Sequence, residues 1–121
     1  MVKALLDSNI LIDQLLGIKD AAIEIARYED AAISIVSWIE LLVGATPANI
    51  DGVRAFLADY HMVALDNVVA EEAAALRRTH RMKLPDAIVW ASARTEGRLL
   101  VTRNTKDFPA SDPGVRHPYI V

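Results

Sequence analysis

The amino-acid sequence predicts an α/β domain built on a largely parallel sheet. Two observations predict it. Short apolar runs of strand length alternate with longer segments of helical periodicity. The helical segments also open on capping residues and stop at glycines, as at Gly44 and Gly97.

In chain order, Val2–Leu6 reads as the first strand, closed by Asp7. Residues Asn9–Leu16 form a helical run, and "IKDAAIEIARYED" a second helix with Ile18, Ala22, Ile25 and Ala26 on one face. Ala31–Val36 is β-rich and reads as the second strand, followed by a helix over Ser37–Gly44. A helix over Asn49–Tyr60 leads to a third strand, Met62–Leu65. "NVVAEEAAALRRTHR" is a strong helix capped by Asn67 or Asp66. The next helix spans Asp86–Thr95. Asp86 opens it, Pro85 suits the entry, and Gly97 ends it. Leu99–Thr102 is the fourth strand, and "PYIV" at the C-terminus is expected as a short fifth. With no internal repeat and no linker, residues 1–121 are expected to form a single domain.

Composition narrows the chemistry. The chain has no cysteine, which removes disulfides, thiolate metal sites and a cysteine nucleophile. Asp7 and Asp13 interrupt the apolar N-terminal run, so a signal peptide is not expected, and no apolar segment is long enough to cross a bilayer. A soluble, cytoplasmic protein is the expectation. The net charge of −3 is mild, but its distribution is uneven. Arg77, Arg78, Arg81, Lys83, Arg94, Arg98, Arg103 and Lys106 are interrupted only by Asp86 and Glu96. Such a basic flank suits a polyanion, or equally the C-terminal end of a helix dipole.

Four carboxylates stand at element ends. Asp7 follows the first strand, Glu40 follows the second, Asp107 follows the fourth, and Asp86 opens a helix. Open parallel sheets carry ligand sites at the C-terminal ends of their strands, so the four can gather at one edge. Each has a structural alternative. Asp7 and Asp86 suit helix caps, Ser37 and Glu40 spell a capping box, and Asp107 suits a loop before Phe108-Pro109. Gathered together, they carry a cost. Two unit charges about 4 Å apart repel by roughly 4 kcal/mol at an effective dielectric near 20. Such a cluster must protonate, spread or hold cations. Oxygen ligands without cysteine point to Mg²⁺ or Mn²⁺, ions suited to phosphodiester hydrolysis.

The motifs "LLDSNILID", "SIVSWIELLVG", "LPDAIVWASA" and "LLVTRNTKDFP", with the tail "DPGVRHPYIV", resemble the PIN-domain ribonucleases, and among them the VapC toxins of bacterial toxin–antitoxin pairs. The resemblance runs along nearly the whole chain in order and spacing. It implies a three-layer α/β/α domain with a central, largely parallel sheet of four to five strands. It also implies Mg²⁺- or Mn²⁺-dependent endonucleolytic cleavage of a tRNA or ribosomal RNA, a homodimer, and a cognate VapB-type antitoxin seated in an apolar groove. Carried over by position, Asp7, Glu40, Asp86 and Asp107 form the acidic quartet. Asp7, Asp86 and Asp107 would be metal ligands, with Glu40 acting through a water. The fourth position departs from the wider pattern, in which many PIN domains place an aspartate where this chain has Asn104. Either Asp107 reaches back to the site or Asn104 serves as a neutral oxygen ligand. Ser8 and Thr102 are hydroxyl supports.

Rival readings fit less of the sequence. A phosphoacceptor receiver domain needs an acidic pair after the first strand, where Asp7 stands alone. A phosphatase with a phospho-aspartate wants D-x-D there, and "DSN" lacks the second acid. An inactive PIN-like module that binds only RNA or antitoxin would keep the repulsion of an idle carboxylate cluster. His61, His80 and His117 read as structural or solvated, and Trp38 and Trp90 as core or dimer packing.

Overall fold

The computed structural model describes residues 2–121. Five strands form one all-parallel sheet: β1 (Ala4–Leu6), β2 (Ala32–Ser34), β3 (His61–Val63), β4 (Leu99–Val101) and β5 (Val115–Arg116), in the order β3-β2-β1-β4-β5. Among the described residues six helices accompany them: α1 (Ser8–Leu15), α2 (Lys19–Ile25), α3 (Ile35–Val43), α4 (Ile50–Ala58), α5 (Asn67–His80) and α6 (Leu84–Thr95).

Alternation along the strands makes three layers. Successive strand side chains point to opposite faces. Leu5, Ala32 and Leu100 therefore pack with Ala73 and Leu76 of α5 and Ala87 and Trp90 of α6. Ala4, Leu6, Ile33 and Val101 face the other way, onto Ile10 and Leu11 of α1, Leu41 of α3 and Leu57 of α4. All of these strand residues are fully buried, as parallel strands covered on both faces must be. The chain winds outward from β1 through β2 to β3, then α5 and α6 carry it across to β4 on the other side. β1 and β4 thus flank the topological switch point, where such sheets bind ligands. This strand order differs from the 2-1-3-4-5 order of receiver domains.

Three sequence expectations are corrected. The second strand stops at Ser34, whose side chain caps α3 by accepting the Val36 N–H at 3.1 Å. Ser37 therefore lies inside the helix, fully buried, and forms no capping box with Glu40. The fifth strand is Val115–Arg116, not "PYIV". Pro118 has no N–H to give a sheet, and Tyr119 instead donates its hydroxyl to Asp13 at 2.9 Å. Asp86 does not open α6, which begins at Leu84 and places Asp86 in its first turn. Lys83 holds the cap position and makes no side-chain bond there.

Candidate active site at the C-terminal edge of the sheet

The site is assembled from four chain segments: the β1–α1 junction, α3, the first turn of α6 and the loop after β4. Asp7 leaves β1 and caps α1, its Oδ1 accepting the Ser8 N–H at 2.7 Å. Its Oδ2 accepts the Thr102 hydroxyl at 2.8 Å and the Asn9 amide at 3.3 Å. Thr102 directly follows β4, so this one carboxylate ties the ends of the two switch-point strands together. The Thr102 oxygen also accepts from Asn9 at 3.2 Å and from the Asn104 N–H at 3.0 Å.

Glu40 reaches the same cluster from α3. Ser8 Oγ lies 2.9 Å from both Glu40 Oε1 and Ser37 Oγ. A hydroxyl has one proton to give. Ser8 therefore donates to the carboxylate and accepts from Ser37, which fixes Glu40 relative to Asp7.

Asp86 and Asp107 come together through the core. Trp90 lies one turn beyond Asp86 on α6, and Phe108 follows Asp107. Their rings meet edge to face at 5.9 Å, both essentially buried. That contact anchors the post-β4 loop on α6 and sets the two carboxylates beside each other. Asn104 completes the loop. Its Oδ1 accepts the Asp107 N–H at 3.1 Å and its Nδ2 donates to the Asp107 carboxylate at 3.0 Å. Both ends of the Asn104 amide are thus spent on Asp107, which leaves Asp107 as the charged oxygen of this loop.

The electrostatics follow from the crowding. Burial pushes the Asp7 carboxyl up to about 6, the charges of Asp86 and Glu40 add to the rise, and the bonds from Thr102 and Ser8 oppose it. Asp86 is also raised, first by burial and then by the charge of Asp107, with Lys83 pulling the other way. The four carboxylates therefore form one electrostatic unit. Among the described residues, no three Asp, Glu or His side chains converge closely enough to hold an ion as they stand. Repulsion favours such spreading. The donor set itself is all oxygen, with no cysteine in the chain, and suits a hard divalent cation.

Of the residues singled out in the sequence, Asp7, Ser8, Thr102, Asn104 and Glu40 share one hydrogen-bonded cluster. Asp107 joins through Asn104, and Asp86 through charge. Sequence reasoning missed Asn9, which donates to Asp7 and Thr102 and accepts the Arg103 N–H at 3.0 Å. It also missed a buttress behind the site. Arg103 makes two bonds to buried Asp13, at 2.6 and 3.1 Å, and Tyr119 closes on the same carboxylate. The polar pair "SN" after Asp7 was the available signal for Asn9. Nothing local linked Asp13 to Arg103, ninety residues away.

Comparison with known proteins agrees with this fold. Residues 4–111 match the family model of the PIN domain. The chain belongs to the PIN domain family. This PIN domain is 32% identical over 113 residues to Ribonuclease VapC10 of Mycobacterium tuberculosis, covering 87% of this chain and 85% of that protein. A toxin–antitoxin complex from Klebsiella pneumoniae contains a chain that superposes with a TM-score of 0.92 at 39% identity, over 98% of this chain and 99% of that one. The DNA-bound VapBC of Salmonella typhimurium shares the fold, with a TM-score of 0.79 at 21% identity over 96% of each chain. No helix among the described residues is long and apolar enough to cross a membrane.

Proposed function

We propose that this PIN domain is the toxin of a VapBC-type pair: an Mg²⁺- or Mn²⁺-dependent endoribonuclease that cuts a tRNA or ribosomal RNA in the cytoplasm and slows translation. The observation that carries this reading is the gathering of Asp7, Glu40, Asp86 and Asp107 at the sheet edge, with Asp7 held by Thr102, Glu40 by Ser8 and Asp107 by Asn104, and with burial and the neighbouring acids raising the Asp7 carboxyl. As a helix cap alone, asparagine would serve equally well without that cost.

In this reading Asp7, Asp86 and Asp107 hold the cation and Glu40 positions a water. A bound Mg²⁺ or Mn²⁺ lowers the pKa of a coordinated water and offsets charge on the leaving oxygen. The chain's own residues do the positioning. Thr102 and Asn9 hold Asp7, Ser8 holds Glu40, and Asn104 holds Asp107.

The antitoxin is assigned to an apolar groove lined by Ile12, Leu15, Leu16, Leu41, Ala45 and Val53, which opens on Glu40. Leu16 is 72% exposed there, surface that a partner would cover. A homodimer is part of the same proposal, supported by the likeness to the toxin family.

The test is incubation of antitoxin-free protein with purified tRNA and ribosomal RNA in Mg²⁺, Mn²⁺ or EDTA, with Asp86→Asn alongside. Discrete fragments that need the metal and disappear in the variant support the proposal. Intact RNA under every condition overturns it in favour of a binding-only module.

A further inference from the structure

We propose that the turn joining α5 to α6 is a phosphate-binding rim of the carboxylate site, in which Arg77, Arg78, Arg81 and Lys83 grip the backbone of an RNA strand on its way to Asp86. This rests on the nuclease reading and extends it to the surface that holds the substrate.

In the basic stretch, Arg94 pairs with Glu72 at 3.0 Å, Arg98 with Glu96 at 2.7 Å and Arg103 with Asp13 at 2.6 Å. Those three are committed to the fold. Arg77, Arg78, Arg81, Lys83 and Lys106 are exposed, and among the described residues none of them pairs with a carboxylate; the first four cluster at the α5–α6 turn.

Lys83 holds the cap position of α6, whose first turn carries Asp86. Arg81 closes α5 two residues before Lys83, and Arg77 and Arg78 lie in the last turn of α5. The turn between the two helices therefore opens next to Asp86. An acidic site that cuts a polyanion needs positive charge beside it to hold the strand.

Helix stabilisation does not account for all of these cations. Arg77 and Arg78 lie in the last turn of α5, where cations complement the helix dipole. Lys83 lies at the N-terminal cap of α6, the positive end, where the dipole disfavours a cation. Arg81 closes α5 in the left-handed conformation, φ 53°, at a position where glycine is the usual residue. Helix energetics explain neither Lys83 nor Arg81. A bound phosphate would give both charges a partner.

The experiment is fluorescence anisotropy of a labelled single-stranded RNA in EDTA, on a background of Asp86→Asn so that no cleavage intervenes. Arg77→Gln, Arg78→Gln and Arg81→Gly are combined in one variant, and Arg81→Gly is made alone. Each phosphate contact on a single strand contributes roughly 0.7 to the slope of log K against log salt. The triple variant is therefore expected to lower that slope by about two and to weaken binding at ~0.1 M salt by about tenfold or more. Arg81→Gly alone should weaken binding while leaving Tm unchanged or raised, since glycine suits its backbone. A purely structural arginine cannot give that combination. If the triple variant does not fold, Arg81→Gly decides alone. Unchanged affinity and salt slope in folded variants overturns the proposal, as does failure of the Asp86→Asn protein to bind RNA. Weakened binding in the variants, with no cleavage by the unmodified protein, would sink the nuclease reading and leave the rim standing.

Discussion

Asp7 divides its two oxygens between the fold and the site, one capping α1 and the other facing Thr102 and Asn9. Its charge is costly without a cation. A carboxyl that titrates at about 6 rather than 3.8 costs about 3 kcal/mol when ionised in the folded protein. The folded pKa lies above the unfolded one, so the folded state takes up the proton first as pH falls. The penalty is present in full above about 6 and is relieved between there and 3.8. Metal-free Asp7→Asn is therefore expected to be more stable than the unmodified protein at pH 8, by roughly 1–3 kcal/mol. Asparagine caps as well as aspartate. The gain should shrink as pH is lowered towards 4, read as Tm across a pH series. A lower Tm for the variant at pH 8 would show that Asp7 is held for structure. The dual role was half legible in the sequence. Its place after a strand marked Asp7 as both cap and ligand, but its burial against Thr102 depends on the distant strand β4.

At the scale of elements, the post-β4 loop is the part of the site with the most support. Phe108 anchors it to Trp90, Asn104 braces Asp107, and Arg103 locks it to α1 through Asp13. Arg103→Ala leaves buried Asp13 with only Tyr119, and loss of one partner of such a pair costs about 3 kcal/mol. Chemical denaturation should show that loss. Arg103→Lys should recover it only in part, because an ammonium cannot make the two-bond contact. Asn104→Ala should spare most of the stability yet reduce RNA cleavage, measured as kcat at fixed metal. An Asn104→Ala protein that cleaves normally would show that Asp107 needs no brace. Element types were legible in the sequence and some boundaries were not. Ile35 and Val36 have strand propensity, but the Ser34 cap turns the chain into α3 two residues early. "PYIV" has strand composition, but Pro118 and the Tyr119–Asp13 bond hold it elsewhere. In both places a side-chain bond outweighed propensity.

For the whole molecule, strand order decides where the chemistry lies. Alternating runs in the sequence announced a parallel sheet, and the motif series placed acids after β1, β2 and β4. The order β3-β2-β1-β4-β5 then sets Asp7 and Thr102 side by side at the switch point. No local pattern shows that order, since β1 and β4 are more than ninety residues apart and pair only in the folded chain. The proposed divalent-cation site at this edge is tested by direct Mn²⁺ binding. The free-ion EPR signal is followed during titration with the unmodified protein and with the Asp7→Asn, Asp86→Asn double variant. The unmodified protein is expected to remove free Mn²⁺ from solution, and the folded double variant is not. Equal depletion of the signal by both proteins, or by neither, would contradict the proposed site.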